Sequence, residues 1–131
     1  MRLYLVRHAE AAPGEPDELR ALTPAGREQA RALGESLRDE GIRPDAVLTS
    51  PLLRARETGA ELARSFDLDI EPHERLAPGA DLEDVRQAVV GRGKHVVAIA
   101  HQPDCGQIAA QVTGGPEPPF PAGGMVVLEL G

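Results

Sequence analysis

The sequence predicts an α/β fold, a three-layer αβα sandwich around a mostly parallel sheet. Three short apolar runs, at residues 3–6, 46–48 and 95–100, indicate buried strands, since each is too short for a helix. Segments with helical apolar periodicity separate them, and this alternation is typical of a largely parallel sheet. With 131 residues, the chain is expected to form a single domain over residues 1–131 around one core.

The composition excludes several classes of protein. The net charge of −7, with two Phe, one Tyr and no Trp, argues against a nucleic-acid partner. The single cysteine, Cys105, excludes an internal disulfide and fits a reducing compartment. No apolar stretch is long enough to span a membrane, and Met1 leads directly into a strand. We therefore expect a cytoplasmic protein without membrane contact, whose oligomeric state the sequence leaves open.

The first strand ends in Arg7 and His8, at the carboxyl edge where open α/β sheets bind ligands. The polar loop 9–23 follows and is expected to lie over the resulting crevice. Thr23 is then predicted to cap a helix with Pro24 at its first position. The apolar stripe of this helix comprises Gly26, Ala30, Leu33 and Leu37, and Gly41 ends it.

The second strand turns into a helix for which we predict Ser50 as the cap and Pro51 as the first residue. The core face of this helix comprises Ala55, Gly59, Leu62 and Phe66. Arg54 lies in its first turn, where the helix dipole disfavours a cation. Helix amides and a guanidinium directed at one point form an anion site, so Arg54 is a candidate ligand for phosphate or carboxylate. Arg56, about 200° further round the helix, is expected to face solvent.

The rest of the chain continues the alternation of strands and helices. We predict a short strand at residues 68–71 and a loop at residues 72–80. Asp81 is then expected to cap a helix that ends near Gly91. The strand 95–100 leads into His101 and a helix with Pro103 at its first position. The buried stripe of that helix comprises Cys105, Ile108, Ala109 and Val112. Residues 125–130 predict a last strand, antiparallel and at the edge of the sheet.

Three strand ends therefore deliver Arg7 and His8, residues 50–54, and His101 to one edge of the sheet. Histidines and arginines around a crevice in an acidic protein indicate a local site for a phosphorylated ligand. His101 and Cys105 have the spacing of metal ligands, but with no third or fourth ligand we expect no metal, and Cys105 is assigned to the core. His73 and His95 have no evident partners and are expected at the surface.

Three motifs, VRHAEA, TSPLLRARET and AHQPD, resemble in the same order those of the histidine phosphatase superfamily, and within it the short SixA-like phosphohistidine phosphatases. The resemblance implies a phosphoglycerate mutase-like fold without cofactors. It implies His8 as the nucleophile and a phosphate pocket of Arg7, Arg54 and His101. In DELRALT, Asp17 and Arg20 are similar to the Asp-x-x-Arg of SixA-like proteins, which makes Arg20 a further phosphate contact. Asp17, Ser50 and Glu57 are assigned supporting roles.

The sequence departs from the family pattern at Ala9 and Ala100, where glycine is usual, and at Glu57, where glutamine is usual. Residues 76–78, Leu-Ala-Pro, stand where many relatives carry a glutamate general acid, which SixA-like proteins also lack. We therefore expect a metal-independent phosphatase that acts on phosphohistidine of a small carrier domain. Two alternatives stay open: a phosphatase of small phosphorylated metabolites, with Glu57 as the first candidate acid, and a non-catalytic phosphohistidine-binding module.

Overall fold

A computed structural model describes all residues, Met1–Gly131, and contains one five-stranded sheet. Its strands are β1 (Arg2–Arg7), β2 (Ala46–Thr49), β3 (Ile70–Pro72), β4 (His95–Ala100) and β5 (Met125–Glu129). Their order is β3-β2-β4-β1-β5, with every pair parallel except β1 and β5. This topology confirms the mostly parallel sheet with an antiparallel edge strand.

Four α-helices cover the two faces of the sheet. They are α1 (Pro24–Asp39), α2 (Leu53–Ala63), α3 (Leu82–Val89) and α4 (Asp104–Thr113), and two 3₁₀ helices span Asp17–Leu19 and Glu74–Leu76. Successive residues of β1 point to opposite faces, as strand geometry requires. Tyr4 and Val6 therefore share a core cluster with Leu37 and Leu62 of α1 and α2. Residues of α3 and α4 share the other large cluster with Leu3 and Leu5 of the opposite sheet face, which confirms the αβα sandwich. None of the helices is long and apolar enough to span a bilayer.

The cap of α1 is as predicted, whereas that of α2 is not. Thr23 accepts a hydrogen bond from the N–H of Gly26 at 2.9 Å, and Pro24 is the first residue of α1. By contrast, α2 begins at Leu53 without a side-chain cap, so Ser50 and Pro51 lie outside the helix. The hydroxyl of Ser50 is buried between the ring of His101 and the N–H of Leu52, so it holds the turn before α2 and not the first turn of the helix.

Smaller corrections concern the last helix, the third strand and two histidines. Pro103 is the N-cap of α4 instead of its first residue, and β3 is shifted two residues along the chain from the predicted start. His73 and His95 do have partners and are only half-exposed. Nδ1 of His73 accepts from the N–H of Arg75, and Nδ1 of His95 lies 3.1 Å from the Tyr4 hydroxyl. The predicted cap Asp81 is confirmed, as part of a capping box.

Candidate active site

Two histidines meet where β1 and β4 end. These strands are neighbours, and the N–H of His8 donates to the carbonyl of Ala100 at 3.0 Å. This pairing brings the residues that follow each strand side by side, so the rings of His8 and His101 lie with their centroids 5.3 Å apart. The predicted convergence of the two histidines is therefore found.

The ring of His8 is held in one tautomer. Its Nδ1 lies 2.8 Å from the carbonyl oxygen of Ala9, and because a carbonyl can only accept, Nδ1 carries the proton. Nε2 is left with its lone pair. Burial lowers the pKa of His8, and the positive charges of Arg54, Arg7 and Arg20 lower it further. A neutral ring with a free Nε2 is the form in which histidine acts as a nucleophile.

His101 is also neutral, and more deeply buried. Its Nε2 lies 2.8 Å from the hydroxyl oxygen of Ser50, whereas its Nδ1 is buried without a partner in the protein. Burial lowers the pKa of His101 to about 4, helped by the positive charge of Arg54 and by that of His8 in its protonated form. At neutral pH this ring is therefore an uncharged hydrogen-bonding group, one nitrogen of which has no partner in the protein.

One carboxylate joins two of the predicted arginines. Arg54 is only 7% exposed, and its Nη1 and Nη2 donate to the carbonyl and the carboxylate of Asp17, at 2.9 and 3.2 Å. The other carboxylate oxygen accepts from Nη1 of Arg20 at 3.1 Å. The guanidinium of Arg20, and then that of Arg54, hold the pKa of Asp17 below its usual value. The loop that carries Asp17 is thus tied over the carboxyl edge, as expected.

Arg7 is held by the loop before β5, a segment for which no local sequence pattern predicts a role in the site. Its Nη1 donates to the carbonyl of Phe120 at 3.0 Å, and its Nε is buried without a partner. The N–H of Arg7 also donates to Gly124, and the N–H of Gly123 is shared between the carbonyls of Arg7 and His8. These partners belong to the Pro-rich loop before β5. Because the loop contacts Arg7 through backbone groups, its side chains do not reveal this role in the sequence.

Glu57 bonds neither histidine. One of its carboxylate oxygens accepts from the N–H of Leu22 at 2.8 Å, and the other pairs with Nη2 of Arg27 at 2.5 Å. Both oxygens are therefore occupied in fastening the end of the polar loop and α1 to α2. This arrangement suits an anchoring residue better than a proton donor.

The two alanines that replace the usual glycines have their side chains in the core. Ala9 is fully buried in a small cluster with Leu22 and Ala30, and Ala100 belongs to the cluster on the α3 and α4 face. Because both methyl groups pack against apolar neighbours, neither departure crowds the two histidine rings.

A second hydrogen bond to the backbone of Ala9 comes from a residue outside the predicted set. The hydroxyl of Thr58 accepts from the N–H of Ala9 at 3.0 Å and donates to the carbonyl of Arg54 at 2.8 Å. The sequence holds two signals for it: Thr58 ends the motif TSPLLRARET, and it lies one helical turn after Arg54 on α2.

The remaining candidate, Cys105, is a core residue. It is fully buried, and burial, with the charge of Asp104, raises the pKa of its thiol to about 12. The structure contains no group of three or more His, Cys, Asp or Glu side chains placed to bind a metal ion.

Comparison with known proteins gives consistent matches. A model of the histidine phosphatase superfamily (branch 1) matches residues 3–80. The phosphohistidine phosphatase SixA of Escherichia coli strain K12 is 31% identical over 127 residues, which cover 92% of this chain and 79% of SixA. A SixA homologue of Haemophilus influenzae is 29% identical over 128 residues, covering 87% and 78%. The solved structure of the protein histidine phosphatase SixA complexed with tungstate superposes with a TM-score of 0.89 at 29% identity, over 99% of this chain and 88% of that one.

Proposed function

Because the chain belongs to the histidine phosphatase superfamily, we propose that it is a metal-independent phosphatase that dephosphorylates phosphohistidine through His8. The observation that carries the proposal is the state of the His8 ring. It is neutral, its proton is fixed on Nδ1 by the carbonyl of Ala9, and Nε2 is free. Such a ring can accept a phosphoryl group without first losing a proton.

In the first step, the lone pair of His8 Nε2 forms a bond to phosphorus while the bond between phosphorus and the imidazole of the substrate breaks. The departing imidazole keeps the electron pair and takes a proton from solvent. In the second step, a water oxygen bonds to the phosphorus and the Nε2–P bond breaks. Inorganic phosphate leaves, the proton of the water passes to solvent, and Nε2 regains its lone pair.

The charge on the phosphoryl oxygens would be stabilised by Arg7, Arg54, Arg20 and His101. Phosphoryl transfer depends mainly on positioning and on such charge stabilisation, which guanidinium groups supply in a fixed planar geometry. Asp17 would be a positioning residue, since it holds Arg54 and Arg20 together. Ser50 would hold His101.

The substrate class follows from the leaving group. Imidazole can be protonated by solvent near neutral pH, whereas an alkoxide needs a positioned acid. Pro78 has no acidic group and Glu57 is bonded to Leu22 and Arg27, which supports phosphohistidine over small alkyl phosphates. Phosphohistidine on a carrier domain is therefore our proposed substrate, in line with relatives named phosphohistidine phosphatases. Catalysis by those relatives also disfavours a purely binding module. The cytoplasmic location stays a prediction.

A substrate panel tests this function. Wild-type protein and His8→Ala would be assayed with a phosphoramidate, an aryl phosphate and an alkyl phosphate of similar size. We expect the wild type to cleave the first two far faster than the third, and to carry an acid-labile phosphate on His8 when quenched during turnover. His8→Ala should show neither. Label on another residue, or an equal rate with the alkyl phosphate, would overturn the proposal.

A further inference from the structure

The backbone of Ala9 is bonded from two directions. Its carbonyl accepts the proton of His8 Nδ1 at 2.8 Å, and its N–H donates to the Thr58 hydroxyl at 3.0 Å. Ala9 and Thr58 are both fully buried, so water does not compete for the second bond. The N–H of Glu10 donates to Gln29, but this contact is exposed and water can replace it. Of the two side-chain bonds to the backbone N–H groups of Ala9 and Glu10, only the bond to Thr58 cannot be replaced by a bond to water.

The Thr58 hydroxyl has a fixed direction. A hydroxyl has one proton, and that of Thr58 is donated to the carbonyl of Arg54 at 2.8 Å. A lone pair of the oxygen is therefore left to face the N–H of Ala9. As a result, the helix that supplies Arg54 also fixes the residue that follows the nucleophile.

We propose that Thr58 is a positioning residue for the nucleophile: its hydroxyl fixes the backbone of Ala9, and the carbonyl of Ala9 in turn fixes the ring of His8. The inference rests on the proposed function, since it requires His8 to be the attacking group. If the Ala9 backbone shifts, Nδ1–H loses its acceptor, and the ring can rotate or place its proton on Nε2. After either change, His8 Nε2 no longer points a lone pair at the phosphorus. Small misplacements of reacting atoms cost up to about 10²-fold in rate.

The test compares two buried threonines. Thr58→Val keeps the shape of the side chain but removes the hydroxyl. Thr49→Val is the matched control, because Thr49 is equally buried and its hydroxyl has no partner. In rapid-quench assays with a phosphoramidate, we expect Thr58→Val to slow phosphorylation of His8 by about 10- to 10²-fold with much less change in KM. Thr58→Ser should restore the rate, and Thr49→Val should match the wild type.

The tautomer of His8 supplies a readout that loss of stability does not mimic. In ¹⁵N NMR of folded protein, with the His8 signals identified by their loss in His8→Gln, the wild type should show the proton on Nδ1. Thr58→Val should show a mixture of tautomers. If Thr58→Val does not fold, Thr58→Ala leaves room for a water beside the Ala9 N–H, and it should change rate and tautomer in the same direction but less.

The outcomes separate the two proposals. A wild type that never carries phosphate on His8 overturns the proposed function and this inference with it. A wild type that is phosphorylated on His8, together with a Thr58→Val variant that matches Thr49→Val in rate and keeps the proton on Nδ1, overturns only the role of Thr58.

Discussion

Nε2 of His101 lies 2.8 Å from the hydroxyl oxygen of Ser50, and both side chains are buried. The same hydroxyl accepts from the N–H of Leu52 at 3.2 Å. Ser50 thereby links the turn before α2 to the second histidine. This bond satisfies one ring nitrogen and leaves Nδ1 buried without a partner in the protein.

Ser50→Ala should therefore weaken both stability and catalysis. The variant leaves Nε2 of His101 buried without a partner, which costs about 1–3 kcal/mol of unfolding free energy. A ring free to turn should lower kcat/KM for a phosphoramidate by about tenfold. Urea unfolding and steady-state kinetics measure the two effects. Ser36→Ala, at an exposed position of α1, is the control and should change neither. An unchanged kcat/KM in Ser50→Ala would show that the bond does not orient His101.

Arg54→Lys should be far more damaging than its conserved charge suggests. The buried guanidinium of Arg54 uses two nitrogens at once, and an ammonium cannot reproduce two parallel hydrogen bonds. The lysine would therefore lose the bonds to Asp17 that orient Arg54. Loss of the proposed contact between Arg54 and the phosphoryl group in the transition state costs about 10²-fold or more in kcat/KM. Arg56→Lys is the control on the same helix, because Arg56 only donates Nε to the carbonyl of Pro51 and should be replaceable. Equal losses at the two positions would contradict the assignment of the helix face.

Lowering the pH should destabilise the fold through His101. Its pKa falls from 6.5 in the unfolded chain to about 4 in the folded protein. Between these values the unfolded state binds the proton more readily, so this contribution to stability is complete above about pH 6.5 and is lost towards pH 4. The loss is on the order of 3 kcal/mol, from about 1.4 kcal/mol per unit of pKa. The lowered pKa of His8 acts in the same direction.

Urea unfolding of the wild type and of His101→Gln at pH 7.5 and 4.5 measures this contribution. Glutamine does not titrate, so the variant should lose clearly less stability than the wild type over the interval. The aspartates with lowered pKa values give up their contributions mainly below this range, and the raised pKa of Asp104 acts in the opposite direction. The two histidines are therefore the expected source of the loss of stability. The same loss of stability in both proteins would show that the pKa of His101 does not differ between the folded and unfolded states.

The strands and the convergence of the site could be predicted because their signals are local. Buried apolar runs such as 95–100 mark strands, and parallel strands bring their carboxyl ends to one edge. The errors arise where a bond joins residues far apart in the chain. Ser50 has the pattern of a helix cap, but its hydroxyl bonds to His101, 51 residues away. The partners of His95 and Ala9, Tyr4 and Thr58, are similarly distant. Spacing along the chain does not specify such pairings.

Glu57→Gln tests whether the site contains a hidden general acid. The carboxylate of Glu57 bonds to Leu22 and Arg27, so we expect it to anchor the polar loop and take no part in protonating a leaving group. An amide oxygen can still accept from Leu22, but the ion pair with Arg27 is lost. Because this pair is partly exposed, the loss should cost no more than about 1 kcal/mol in unfolding free energy.

The kinetic outcome depends on the leaving group. Imidazole and aryl oxide leave without a positioned acid, so Glu57→Gln should keep close to wild-type rates with a phosphoramidate and an aryl phosphate. Departure of an alkoxide without a positioned acid lacks the roughly 10² to 10⁴-fold rate acceleration that proton transfer contributes. The wild type and Glu57→Gln should therefore both be slow with an alkyl phosphate. Arg27→Gln is the matched control, since it removes the same ion pair but no carboxylate. If the wild type cleaves the alkyl phosphate well and Glu57→Gln alone loses that activity, Glu57 is an acid. The small-metabolite phosphatase would then replace the phosphohistidine phosphatase.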